Sequence, residues 1–139
     1  REMGKQHNME RDYNGAVEYW KKAAELGDAG AYYELSVMYH LGRGVEEDMV
    51  KELYHLEEAV IAGHPGARHN LGCEEAKKGR SERARKHFII NANLGYHKSL
   101  EGLKMLYVEG NASKEDYADA LRAYQAALVA EAYYSSSCR

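Results

Sequence analysis

Apolar residues along this chain recur in steps of three and four, the spacing that puts side chains on one face of an α-helix. Ala16, Trp20, Ala23 and Ala24 form one such stripe, and Ala31, Leu35, Met38 and Tyr39 form the next. The period is helical, not the two-residue alternation of a strand. Punctuation falls where the stripes end. Gly27, Gly63 and Gly95 stand where a helix must stop, because glycine enters the left-handed C-cap conformation without a Cβ clash. Pro65 then belongs to the first turn of the following helix, where a missing N–H costs little. Acidic residues mark the opposite ends: Glu46, Glu47 and Asp48 open one helix, and Ser113 with Asp116 makes a capping-box-like opening for another. The spacing predicts helices over 11–26, 30–41, 46–62, 65–78, 81–94, 97–109 and 114–133, with a frayed tail at 134–139.

These helices repeat. Ala67 and Leu71 follow Ala31 and Leu35 by 36 positions, and Leu103 follows Leu71 by 32. Gly27, Gly63 and Gly95 step by the same 36 and 32, while Tyr39 to Tyr107 and Asp48 to Asp116 are each 68 apart. Asp12 precedes Asp48 by 36. Several independent columns in one register establish a helix-pair repeat, since chance rarely aligns so many. The chain is expected to be one all-α domain over residues 1–139, an α/α superhelical solenoid of about three and a half helix-turn-helix repeats. A half repeat spans 11–27, and full repeats span 28–63, 64–95 and 96–131. Small residues at Ala23, Ala59 and Ala127 let helices approach, and Trp20, Leu56, Phe88 and Tyr124 fill the large position one turn earlier.

At 139 residues the chain can bury roughly 68% of the surface its extended form exposes, which is enough for a core. Charged residues make up 29% and the net charge is −3, so the positive field that tracks a phosphate backbone is missing and nucleic acid is not expected as a partner. No apolar run has the length of a membrane span and no secretory leader opens the chain, which predicts a soluble protein. The chain opens on Arg1 without an initiator Met, as an excised piece of a longer protein would. Cys73 and Cys138 are too few for a disulfide framework, which slightly favours a reducing, cytoplasmic compartment.

Nothing in the sequence predicts a catalytic residue, a metal site or a cofactor. Of the seven histidines, His64 and His69 are five apart, whereas helical ligand pairs are three or four apart. Cys73 precedes Glu74 and Glu75, which raise a thiol's pKa and disfavour a nucleophilic role, so it reads as a small half-buried hydrophobe. Gly42, Arg43 and Gly44 have the look of a phosphate loop, yet the repeat explains them as an interhelix turn and the acids that follow would repel an anion. The cluster Lys77, Lys78, Arg80, Arg83, Arg85 and Lys86 reads as a solvated repeat edge, with an acidic partner as the functional reading. Among the twelve tyrosines, Tyr32, Tyr39, Tyr107 and Tyr124 are repeat core by position, while Tyr33 lies off the stripe.

The pattern A-x-x-x-L-G-x-x-Y-x-x-G-x-G-V-x-x-D, followed by an Ala-rich helix ending in Gly, resembles the Sel-one-like repeat, a relative of the tetratricopeptide repeat. Residues 31–63 match it best through Ala31, Leu35, Tyr39, Gly42, Gly44, Val45, Asp48, Lys51, Ala59 and Gly63, with Ser36 in place of a Gly. The second repeat keeps Ala67, Leu71, Gly72 and Gly95 but has a shorter loop with only Gly79. The third keeps Leu103, Tyr107, Gly110, Asp116, Ala120 and Ala127 but carries Lys104, Ala112 and Glu131 at glycine positions.

The resemblance implies a non-enzymatic scaffold or adaptor that binds a protein or peptide, as this family does in endoplasmic-reticulum quality control and in signalling. It also admits the substrate-binding half of a ubiquitin ligase, since some eukaryotic chains join such repeats to zinc-binding fingers. A small-ligand binder or hydrolase is the alternative: some cysteine-rich bacterial members bind or hydrolyse β-lactams, though through regular cysteine pairs that this sequence lacks. A structural cap on a longer solenoid is a third. If the likeness to tetratricopeptide repeats extends to geometry, the residues two before and two after the repeat leucine face a concave groove. That selects Tyr33 and Val37, His69 and Cys73, Glu101 and Met105, with His40 and Lys77 one turn further along. The leading helix is expected to leave Tyr13, Val17, Trp20 and Ala24 open, and so to pack on upstream sequence, a tag or another copy of the chain.

Overall fold

A computed structural model of the chain describes the backbone of residues 2–137 and the side chains of residues 12–136. Among the described residues there are seven helices and no strand: α1 (Glu2–Glu25), α2 (Ala29–Leu41), α3 (Met49–Ile61), α4 (Pro65–Lys77), α5 (Ser81–Asn93), α6 (His97–Val108) and α7 (Lys114–Ser137). This is an all-α helical repeat solenoid fold, a leading helix followed by three helix pairs. The chain forms two compact units, Arg1–Ala67 and Arg68–Arg139, and α4 opens at the end of the first. No described helix is long and apolar enough to cross a membrane.

In the first unit α2 packs between α1 and α3. Its core joins Val17 and Ala24 of α1 to Ala31, Leu35 and Met38 of α2, with Trp20 and Val45 packed alongside. The face of α1 expected to stay open is therefore occupied within the chain: Val17 is only 2% exposed. The physical reason is the repeat itself, for α1 stands as the second helix of a half repeat and closes on the first helix of the next. The approach is close enough to dictate a residue. A Cβ on Gly44 would lie 2.6 Å from the Tyr13 carbonyl oxygen, and Gly44 has φ +72°, so glycine meets both demands at once.

The second unit gathers Ala84, Phe88, Ala92, Leu100, Leu103, Leu106 and Ala120 from α5, α6 and α7. Phe88 is its keystone. Its ring lies between Gly72 of α4 and Gly102 of α6, where an added Cβ would come within 2.7 Å and 2.9 Å of ring carbons. Small against large thus holds, but the partners are glycines on first helices, and Gly102 is not one of the family's glycine positions. Of the tyrosines expected in the core, Tyr39 is buried, whereas Tyr107 is exposed and stacks on Tyr117 with ring centroids 6.1 Å apart.

Helix ends follow local chemistry. Gly27, Gly63 and Gly95 all take positive φ, as stop positions should. Asp28 and Asp48 accept from the N–H groups of Ala31 and Lys51, each at 3.1 Å. Because Asp48 is the cap, Glu46 and Glu47 precede α3 rather than opening it. His64 plays the same part before Pro65, its Nδ1 accepting from the Ala67 N–H at 3.0 Å. Ser113 and Asp116 bond reciprocally, at 3.0 Å and 3.2 Å. At the far end α7 continues through Ser137, so Tyr134 to Ser137 are helical rather than frayed, while residues 138 and 139 lie outside the described residues.

Candidate interaction surface

The eight candidate residues sit on the first helices of the three repeats, α2, α4 and α6, and they fall into two kinds. Tyr33 and Val37 are half-buried on α2, with the Tyr33 ring stacked on His64 at 4.5 Å between centroids. His40 is exposed, and its Nδ1 lies 2.9 Å from the Glu52 carboxylate of α3, which ties the ring to the paired helix. Lys77 and Glu101 point into solvent with helical neighbours, Glu74 at 3.6 Å and His97 at 3.0 Å. Met105 is 57% exposed.

His69 and Cys73 are brought together. One turn apart on α4, they place the imidazole Nε2 3.5 Å from the thiol Sγ. On the other side of the ring, Nδ1 lies 2.9 Å from Ser99 Oγ, and the Asn91 side-chain amide donates to that same Oγ at 3.0 Å. Asn91 and Ser99 are both fully buried. Phe88 and Tyr96 flank the imidazole, with centroids at 5.4 Å and 5.8 Å.

The repeat register makes this chain of polar groups stand out. Ser99 follows Ala67 by 32 positions and occupies the column of Ala31 and Ala67; Asn91 occupies the column of Ala23, Ala59 and Ala127. Folding is met by alanine at the other positions of both columns, so the polar pair is an addition specific to α5 and α6. The repeat register carries the signal for Ser99 and Asn91, two departures from alanine, but only the fold shows that they meet in space. His69 and Cys73 are four apart, a spacing that suits one helical face, whereas His64 and His69 are five apart.

Burial, then Lys98, lowers the pKa of His69. Burial also raises that of Cys73, ahead of a lowering contribution from Lys77 and a raising one from Glu74. The upward direction agrees with the sequence reading, but the leading cause is desolvation rather than the neighbouring acids. Both shifts favour neutral partners, a thiol beside an uncharged imidazole, and not a thiolate–imidazolium nucleophile. His87 is likewise lowered by burial and then by Arg68, whose guanidinium donates to its Nδ1 at 3.2 Å.

The basic cluster is largely neutralised in place. Lys77, Arg80, Arg85 and Lys86 pair with Glu74, Glu75, Asp116 and Glu82 at 3.5 to 3.8 Å, the arrangement of a solvated edge.

No protein-family model and no curated protein matches the sequence. Structure finds what sequence comparison does not. The chain is similar to the crystal structure of a Sel1 repeat protein from Oxalobacter formigenes, with a TM-score of 0.67 and 23% identity. That alignment covers 79% of this chain and 88% of the other. The chain therefore has the Sel-one-like repeat fold that residues 31–63 pointed to.

Proposed function

We propose that the chain is a non-enzymatic interaction scaffold that grips a protein segment on its first-helix columns, Tyr33 with Val37 in the first unit, or His69 with Cys73 and Glu101 with Met105 in the second. The observation that carries this reading is a contrast between adjacent columns. At the packing column the residue is leucine in all three repeats; Leu35 and Leu103 are 1% and 0% exposed, and Leu71 is half-buried. Two residues to either side the chemistry changes from repeat to repeat, Tyr to His to Glu and Val to Cys to Met. Folding fixes the first kind of position and leaves the second free to be chosen for something else. Apolar anchors set beside a few polar groups suit recognition of a peptide segment.

The test begins with peptides selected against the immobilised chain from a displayed library. For a peptide selected on the first unit Val37→Ala, and for one selected on the second Met105→Ala, is expected to weaken binding by about 1–2 kcal/mol, read by calorimetry, with helicity unchanged. Glu57→Ala on α3 and Lys86→Ala on α5 should leave affinity intact. Equal losses at Glu57 and Lys86 would place the interface on the second helices and overturn the choice of face.

A further inference from the structure

We propose that His69 and Cys73 form a two-ligand site for a divalent ion of the zinc class, held by the imidazole Nε2 and the Cys73 sulfur and completed by two waters. The distance decides the class. An ion about 2.3 Å from sulfur and about 2.05 Å from nitrogen, spanning a 3.5 Å separation, subtends roughly 107°, close to the tetrahedral angle. A linear two-coordinate ion with the same bonds would need a separation of about 4.3 Å, which the pair does not offer.

The support behind the imidazole is also that of a ligand. Metal-bound histidines nearly always hydrogen-bond through their other ring nitrogen, which fixes the ring and tunes its basicity. Here Ser99 Oγ meets Nδ1, and Asn91 holds Ser99 from behind. Those two buried polar residues replace the alanines of their columns, a costly exchange in a core that their hydrogen bonds offset. Aligning His69 is the role their geometry performs. The equivalent pairs, Tyr33 with Val37 and Glu101 with Met105, offer no such donor set.

Among the described residues no third His, Cys, Asp or Glu joins the pair, so solvent fills the remaining positions. Both side chains are half-buried, which leaves them reachable from outside. As the sulfur–metal bond forms, the Cys73 thiol must release its proton to solvent. Affinity should therefore rise with pH.

Cobalt(II) reports the site directly. Titrating the reduced full chain carrying Cys138→Ser should give one-to-one saturation, a near-ultraviolet sulfur-to-cobalt charge-transfer band and the intense visible bands of four-coordination, all lost when zinc is added. Cys73→Ser and His69→Ala should each abolish the charge-transfer band while circular dichroism stays helical. Ser99→Ala restores the residue of the earlier repeats, and should keep the spectrum but weaken affinity about 10-fold or more. The absence of a charge-transfer band in the parent protein, or its survival in the His69 or Cys73 variant, would overturn the proposal. Because the peptide test uses Val37 and Met105, failure of either idea leaves the other standing.

Discussion

His69 and His87 both sit in the second unit with imidazoles held below the ordinary value of 6.5. For His69 the cause is burial, then Lys98; for His87 it is burial, then Arg68, with Glu75 opposing and Arg83 adding. An unfolded chain takes up these protons at a pH where the folded chain still refuses them. Their contribution to stability is therefore fully present above about pH 6.5, and it is lost as pH falls through the two lowered values. Melting temperature is expected to drop between about pH 7 and pH 5, and a His69→Gln, His87→Gln double variant should flatten that part of the profile. An unchanged slope in the double variant would assign the acid sensitivity to other groups. At this scale the candidate site was half legible. The groove columns named His69 and Cys73 because the repeat fixes which positions flank the leucine. The hydrogen bonds that organise them were not legible, because Ser99 is 30 residues from His69 and only folding sets them 2.9 Å apart.

Helices were legible wherever a local signal defined them. Gly27, Gly63 and Gly95 stop helices by their own backbone preference, and the Ser113–Asp116 box closes on itself, so neither depends on tertiary context. Errors came where two signals overlapped or none was present. Glu46, Glu47 and Asp48 are all favourable near a helix start, yet only Asp48 has its carboxylate in reach of Lys51 N–H, so α3 starts at Met49. At the end of α7 no glycine or proline follows Glu131, and the helix runs on to Ser137 despite three serines. Asp48 supplies the element-scale prediction. Asp48→Ala should cost about 1 kcal/mol by removing the acceptor for Lys51 N–H, while Glu47→Ala, which lies before the cap, should change stability by less than about 0.5 kcal/mol. Chemical denaturation of the two variants distinguishes them, and equal losses would mean that charge near the helix start matters more than the cap bond.

The whole molecule carries two separate cores, one around Val17, Ala31 and Leu35 and the other around Phe88, Leu100 and Leu103. Repeat folds draw stability from local units and near-neighbour packing, so damage in one core need not spread evenly through the chain. That pattern was legible as a period of 36 and 32, since a core confined to adjacent helices is what a repeating stripe builds. What the period could not show was how the second core closes, for the glycines against Phe88 belong to different columns, Gly72 and Gly102. Phe88 is 3% exposed and has backbone-sized neighbours on both sides that cannot move in to fill a gap. Phe88→Ala should therefore fall at the severe end for such a change, about 3–5 kcal/mol. Native-state hydrogen exchange tests both the size and the reach of the effect. Protection at the Leu103 amide is expected to fall by about two decades or more, with a much smaller loss at Leu35 in the first unit. Equal losses at Leu35 and Leu103 would show that the two units unfold as one.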